Sequence, residues 1–368
     1  MATMTFLMLQ DIPVYNITTD TILAPNLCPF VETLDTKKAF ETWKKYRAYL
    51  KTNRTAERVV AQLGGENTRE AKRRLSLSDS YWIKYPCDSD VKFEDISPYR
   101  NSFSIMDIHQ GVSPSSVPEL VLGGSQPKQW GRGQDGITYM SKAEQSMQIH
   151  TEILAVKLAH ASGLKAMNAF VRTESGKVYA KNYPTSFDYN ALGVINIVNI
   201  TNPSRSMIQL DQLGLTPNGY NPLSVNQAYM DAGVKDDVLK IALTQILFDT
   251  VIGNIDRKSN SGNWAVFMDN ASGRRSPSWL YDFNWGNLIT QPTDMIEEVS
   301  QHILGAKLSD IAQTLLAPIS KACSMLGLTL WGKNAQTLEA RLSSFTKSKT
   351  WGDVYGNINV YGHTSVPR

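Results

Sequence analysis

The residues best suited to chemistry fall in two short stretches. The first is Gly253-Asn254-Ile255-Asp256-Arg257-Lys258, followed by Asn263. An apolar, helix-like run, VLKIALTQILFDTVIG, leads into it, and the Gly-Asn pair closes that run. An Asp just past a helix end, with an amide side chain a few residues on, puts a carboxylate and an oxygen ligand on one loop. Phosphoryl transfer needs such a pair: a carboxylate near the attacking hydroxyl and hard oxygen ligands for Mg²⁺. Asn260 lies in the same loop and competes with Asn263 for the ligand role. The second stretch is Tyr281-Asp282-Phe283-Asn284, with Asp282 at the end of an apolar strand about one hairpin later. Phosphoryl-transfer enzymes place a second metal ligand there. Each stretch also has a plain structural reading. Gly-Asn is a common helix C-cap, and Asp after a strand is an ordinary turn residue.

Upstream, Gly123-Gly124-Ser125-Gln126-Pro127-Lys128 suits a phosphate loop. Glycines let backbone N–H groups approach an anion, and Lys128 adds positive charge. The alternative is a hairpin turn, and no GxxxxGK[ST] loop occurs anywhere in the chain. Lys142 ends a strand-like run, and Glu152 lies in the helix that follows. A strand Lys on the nucleotide phosphates, oriented by a helix Glu, belongs to kinase chemistry. Two exposed surface charges would read the same way.

The elements that must position these groups follow from periodicity. Ile137–Met140 reads as a strand ending at Lys142, and 146–161 as a helix ended by Gly163. Strand-like pieces follow at Ala169–Arg172 and Val178–Lys181, a small sheet carrying one helix. The remainder is mainly helical. An apolar helix opens at Asp236-Asp237, strands are expected at Trp264–Met268 and Ser278–Tyr281, and helical patterns return at SDIAQTLLAPISKACSML and NAQTLEARLSSF. Nearer the start, Phe40, Trp43 and Leu50 share a helical face, capped by Asp35 or Thr36. Asn53, and Asn67 with Glu70, suggest two more helix starts. The stretch LSLSDSYWIKYP reads as an aromatic, packed connector.

Composition narrows the function classes. In 368 residues the formal net charge is only +3, so the whole chain does not call for nucleic acid. The charge is concentrated, however. Residues 37–74 hold 12 basic and 4 acidic side chains, and the rest hold 25 and 30. A solvated helical face is the favoured reading of that region, and an acidic or nucleic-acid partner the sharper one. Three dispersed cysteines form no CxxC pair and suit a reducing cytoplasm. The start lacks the basic region of a signal peptide, and no apolar run is long enough to span a membrane.

Taken in order, the glycine loop, strand Lys, helix Glu, hairpin, helical region, Asp with Asn and strand Asp form one series. The segments GGSQPKQW, GITYMSK, HTEILAVKLAHASGL, GNIDRKSNSGNW and WLYDFNWGN resemble the HipA-like kinases, particularly phage and Firmicutes members. LSLSDSYWIKY with FEDISPYRNSF resembles a region preceding the kinase core there. The resemblance runs from about Lys37 to Asn287. It implies an α+β, protein-kinase-like bilobal fold, with an N-terminal helical extension and connector (1–105), a small sheet-containing N-lobe (106–185) and a helical C-lobe (186–368). It further implies ATP and Mg²⁺ as cofactors. Lys142 would hold ATP phosphates, oriented by Glu152, and Gly123, Gly124, Ser125, Gln126 and Lys128 would form the phosphate loop. Ala180, Lys181, Asn182 and Tyr183 would form the hinge beside adenine. Asp256 would be the base, and Asn263 and Asp282 the metal ligands.

This chain departs from the family pattern at two points of that loop. Lys258 stands where the family often has His, and Asn263 follows Asp256 by seven positions, as though two residues were inserted. The family's regulatory Ser before the phosphate loop is replaced by Val121. The expected function is transfer of the ATP γ-phosphate to a protein Ser/Thr hydroxyl. A small-molecule or lipid kinase and a nucleotide-binding pseudokinase acting as an interaction module are the alternatives. An antitoxin-like or acidic partner at residues 37–74 is compatible with it, and sequence-specific nucleic-acid binding is not expected.

Overall fold

The computed structural model describes residues 4–30, 35–45, 75–97 except Leu77, 128–132, 138–142, 146–172 except Asn168, 192–196, 204–283 except Asp237 and Ile255, and 318, 321 and 322. The first element is an antiparallel sheet of β1 (Phe6–Leu9), β2 (Ile12–Asn16), β3 (Thr21–Ile22) and β4 (Tyr81–Lys84), in the order β3-β2-β1-β4. The register pairs Leu7 with Ile83, Met8 with Trp82 and Leu9 with Tyr81. Side chains alternate along a strand, so this register sorts them by face. Leu7, Leu9, Tyr81 and Ile83 enter the main core, while Met8 and Trp82 join Leu75 and Phe93 in a smaller cluster. The reading of residues 1–105 as a helical extension is corrected here, because the expected connector supplies a strand. The cause is the alternation itself, carried by segments of four or five residues and therefore too short to stand out from a packed loop.

Helix α1 (Thr36–Lys45) begins where expected. Asp35, rather than Thr36, caps it, accepting the Lys38 N–H at 2.9 Å. Phe40 and Trp43 share its buried face and join the main core, so this part of the basic region is packed rather than merely solvated. Leu50 and the helices expected at Asn53 and Asn67 lie outside the described residues.

A second antiparallel sheet contains β5 (Lys128–Arg132), β6 (Thr138–Lys142), β7 (Ala169–Arg172) and β8 (Leu192–Asn196), ordered β5-β6-β8-β7. Helix α3 follows the short α2 (Phe93–Ile96) in chain order and spans Ser146–Ala161, the bounds read from sequence. Gly163 at φ 75° ends α3, and Leu164 N–H bonds back to the Ala159 carbonyl at 2.9 Å. The strand expected at Val178–Lys181 lies outside the described residues. The described neighbour of β7 is β8, so the sheet continues past the expected division at residue 185.

The third sheet, β11-β10-β9, joins β9 (Arg205–Gln209), β10 (Ala265–Asp269) and β11 (Arg275–Pro277). The strand expected at Ser278–Tyr281 is corrected. Pairing with β10 is used up by Arg275–Pro277, and Leu280 forms only an isolated parallel bridge to Ala166. Helix α4 (Pro222–Asp231) opens with Pro222 in its first turn and is capped by Asn221, whose side chain accepts from Leu223 and Ser224 N–H at 3.0 and 3.3 Å. Helix α5 (Leu239–Ile252) buries Ala242, Leu243, Ile246, Leu247, Phe248 and Ile252, and starts slightly after the expected Asp236-Asp237. Of the last expected helices, residues 318, 321 and 322 are described and helical, with Ala322 in the core.

One core cluster joins the first sheet, α1, α3, α4, α5, β9 and β10. The chain from Asn26 to Cys28 is clamped against the β10–β11 hairpin. The Tyr81 hydroxyl donates to the Leu27 carbonyl at 2.6 Å, and Gly273, at φ 72°, lies so close to Asn26 that a Cβ there would stand 2.2 Å from its carbonyl oxygen.

Candidate active site

Three turns of the C-terminal region converge on Asp256. Helix α5 ends at Gly253, whose φ of 70° reverses the chain, and the Asn254 N–H returns to the Asp249 carbonyl at 2.8 Å. Asp256 then opens the one-turn helix α6 (Asp256–Ser259) and is partly exposed. Asn263, buried at the end of a single 3₁₀ turn (Ser261–Asn263), donates from Nδ2 to Asp256 Oδ2 at 2.6 Å. With its nitrogen bound to Asp256, Asn263 has its amide oxygen left to offer a cation.

The exposed Asn260 reaches the same carboxylate oxygen at only 3.4 Å, and its own oxygen caps the turn by accepting the Gly262 N–H at 3.1 Å. The turn Asn260–Gly262 thus brings Asn263 back to Asp256. Gln209 and the Tyr281 hydroxyl hold this turn, each donating to the Gly262 carbonyl at 2.7 Å.

Asp282 follows the Leu280 bridge in left-handed backbone, φ 59°, a conformation Asp tolerates better than most residues. Its charge reaches Asp256. Burial raises the Asp256 carboxyl above its ordinary range and the Asp282 charge raises it further, against hydrogen bonds from Asn260 and Asn263 and the positive Arg257. Two carboxylates and an amide oxygen held together suit a hard divalent cation, which would relieve the repulsion that raises Asp256.

Sequence reasoning missed the group that holds these turns. Arg257 is buried, with Nε on Asp249 Oδ2 at 2.7 Å, Nη2 on the Tyr281 carbonyl at 2.7 Å and Nη1 on the Asn263 carbonyl. Its own carbonyl accepts the Trp264 indole N–H at 2.9 Å, and Trp264, Tyr281 and Phe283 ring the guanidinium. Burial disfavours the cation, but Asp249 together with Tyr220 and Tyr281 outweighs it and the guanidinium is raised above its ordinary value. The available signal was Asp249, the one charged residue after Lys240 in a mainly apolar helix. Tyr220 was missed too. Its hydroxyl bonds to the Asn254 carbonyl and lies 3.4 Å from Asp249. A third omission is Asp211, beside the Gly262 turn, pushed up to about 6 by burial.

The upstream candidates are placed less fully. Lys128 and Lys142 are paired directly across β5 and β6, at the start of one strand and the end of the other. Their side chains lie outside what is described. Glu152 is buried on α3, not one of two exposed surface charges. Gly123, Gly124, Ser125 and Gln126, and the hinge candidates Ala180, Lys181, Asn182 and Tyr183, lie outside the described residues. A cleft lined by Asp11, Lys84 and Phe93 includes none of the described candidate residues, and hydrogen bonds from the Phe93 N–H to Asp11 and from Lys84 to the Val91 carbonyl already engage its polar groups.

The small antiparallel sheets and packed helices form an α+β fold. A chain of the Shewanella oneidensis toxin–antitoxin complex of HipA, HipB and operator DNA aligns with a TM-score of 0.56 at 13% identity, over 96% of this chain and 99% of that one. The Helicobacter pylori proinflammatory kinase CtkA aligns with a TM-score of 0.41 at 15% identity, over 64% of this chain and 95% of that one. At such identities the likeness to the HipA complex is one of fold, and the CtkA alignment adds no weight. No protein-family model matches the chain, and a search of curated proteins finds no match. Among the described residues no helix is long and apolar enough to cross a membrane.

Proposed function

We propose that this chain is an ATP-dependent phosphotransferase acting on a protein Ser/Thr hydroxyl. The observation that carries the reading is the Asp256–Asn263 hydrogen bond beside Asp282, within a HipA-like fold. In this reading Asp256 orients the attacking hydroxyl and receives its proton, a role worth about 10²–10⁴-fold. The Asn263 amide fixes one oxygen of that carboxylate. Asn263 and Asp282 would hold Mg²⁺, with Asn260 as the weaker candidate. When bound, the ion supplies charge neutralisation for the phosphates. Lys142, oriented by Glu152, and Lys128 with Gly123, Gly124, Ser125 and Gln126 would bind the phosphates. Ala180–Tyr183 would border adenine.

The raised Asp256 carboxyl gives a sign to the pH profile. Turnover should fall as pH drops through that raised value, because the base is lost on protonation.

The basic region 37–74 is the proposed docking surface for an acidic or antitoxin-like partner, prompted by the HipB partner named in the HipA complex. A cytoplasmic location suits a kinase with three dispersed cysteines. Purified protein incubated with γ-labelled ATP and Mg²⁺, followed by mapping of the labelled residue, tests the reading. Incorporation on Ser or Thr that disappears in Asp256→Asn supports it. Nucleotide binding with no transfer to any hydroxyl would instead make the chain an interaction module, the outcome that Lys258 in place of His leaves open.

A further inference from the structure

Asp256, Asn263 and Asp282 are each tied to Arg257 through the backbone, by direct chain connection or through a carbonyl of the residue itself or its neighbour. Asp256 is its chain neighbour. Asn263 accepts Nη1 through its own carbonyl. Tyr281, the residue before Asp282, accepts Nη2 at 2.7 Å. The remaining donor, Nε, is held by Asp249 from α5 at 2.7 Å, and the guanidinium is packed among Trp264, Tyr281 and Phe283. A planar group with donors on three edges is thus tied to three chain segments that no strand pairing or helix connects at these points.

From this geometry we infer that Arg257, oriented by Asp249, is a positioning residue that sets the separation of Asn263 and Asp282, and so the site's affinity for its divalent cation. The inference deepens the phosphotransferase reading and rests on it for the identity of the cation ligands. Lysine cannot substitute, because one ammonium on a flexible stem cannot span three acceptors lying in the plane of a fork. Groups that orient metal ligands without touching the metal typically change affinity by about 10–100-fold when removed.

The test uses the full chain as wild type, Arg257→Lys and Asp249→Asn, with Arg275→Met as a control for loss of a buried arginine outside the site. Mn²⁺ binding is titrated by electron paramagnetic resonance in the presence of a non-hydrolysable ATP analogue, and the Mg²⁺ dependence of turnover is measured beside it. Binding of the analogue without metal and the thermal midpoint are recorded for each variant. The expected result for Arg257→Lys is Mn²⁺ affinity weakened by about tenfold or more, a matching rise in the Mg²⁺ needed for half-maximal turnover, and metal-free analogue binding within about twofold. Arg275→Met should lower the thermal midpoint without moving the metal dependence.

Asp249→Asn should move Mn²⁺ affinity in the same direction, and carries the test if Arg257→Lys does not fold. Unchanged Mn²⁺ affinity in the folded variants overturns the inference, as does a shift of equal size in Arg275→Met. If wild type binds Mn²⁺ but transfers no phosphate, the catalytic reading fails while the positioning role is still decided by the Mn²⁺ titration. If wild type binds no Mn²⁺, the positioning role is overturned.

Discussion

Arg257 and Arg275 are both buried guanidiniums in the C-terminal region, and they are accommodated in opposite ways. Arg257 has a buried carboxylate, Asp249, and is raised above its ordinary value despite burial. Among the described residues Arg275 donates only to carbonyls, Ala232 at 2.6 Å and Cys28, and burial lowers it. Its neighbour Cys28 supplies no negative charge, because burial holds the thiol protonated, pushed up to about 12. Carbonyl dipoles suffice where an arginine only has to fasten the N-terminal segment to the end of α4. A full counter-charge appears where the arginine must hold three turns beside a cluster of carboxylates that would otherwise repel. The difference separates an arginine that joins layers from one that shapes a site.

The largest expected effect lies at Asp256, on activity alone. Asp256→Asn should lower phosphate transfer by about 10²–10⁴-fold while leaving the urea midpoint unchanged or slightly raised, since a raised carboxylate is not a stabilising one. Transfer rates and urea melts on the same preparation check both halves. Next is Asp249→Ala, which strands the Arg257 charge in the core. Removing one member of a buried pair costs about 3–5 kcal/mol, readable as a loss of denaturation midpoint, and a cost below about 1 kcal/mol would place the pair in effective contact with water.

Arg275→Met should cost about 2–4 kcal/mol, from two lost bonds and two stranded carbonyls, without changing the metal requirement of the folded fraction. If Arg275→Met altered turnover as much as Arg257→Lys, the contrast between the two arginines would collapse.

The smallest effect is expected at Asp211. Its carboxyl is raised from 3.8 to about 6 by burial, and Oδ1 has no hydrogen-bond partner among the described residues. The folded state therefore binds the proton more tightly than the unfolded chain. The sign is opposite to that of a salt-bridged Asp: the stabilisation is complete below about pH 4 and is lost as pH rises through about 6. At pH 7 the ionised group is a burden, so Asp211→Asn should stabilise by about 1–2 kcal/mol and flatten stability between pH 4 and 6. Denaturation across that range decides it, and an unchanged slope would mean that Asp211 is hydrated in solution.

Several elements were legible because their signals are local. Helix α3 and its Gly163 end, the start of α1 near Asp35 and Thr36, the buried face of Phe40 and Trp43, and β6 ending at Lys142 each follow from a few neighbouring residues. The pairing of Asp256 with a downstream Asn was legible as well, since residue types and order suggest it. Which of Asn260 and Asn263 lies nearer that carboxylate was not. It depends on a turn in which Asn260 spends its oxygen on the Gly262 N–H and Asn263 swings back to the carboxylate, and only the closed loop shows which amide arrives.

What the sequence determined by itself was the inventory and order of groups: an Asp after an apolar helix, an amide shortly behind it, a second Asp at a strand end, and a concentrated basic stretch near the start. Tertiary structure decided the rest, because the deciding interactions join residues far apart along the chain. β4 pairs with β1 across more than seventy positions, turning an apparent connector into a strand of a sheet. Asp249 meets Arg257 only because Gly253 reverses the chain, and Tyr281 meets it only after β10 and β11 have folded back. A lone Asp in an apolar helix signals that a partner exists. Which cation reaches it, and which carbonyls that cation then holds together, is fixed by the shape of the buried space in which a charge cannot stay unpaired.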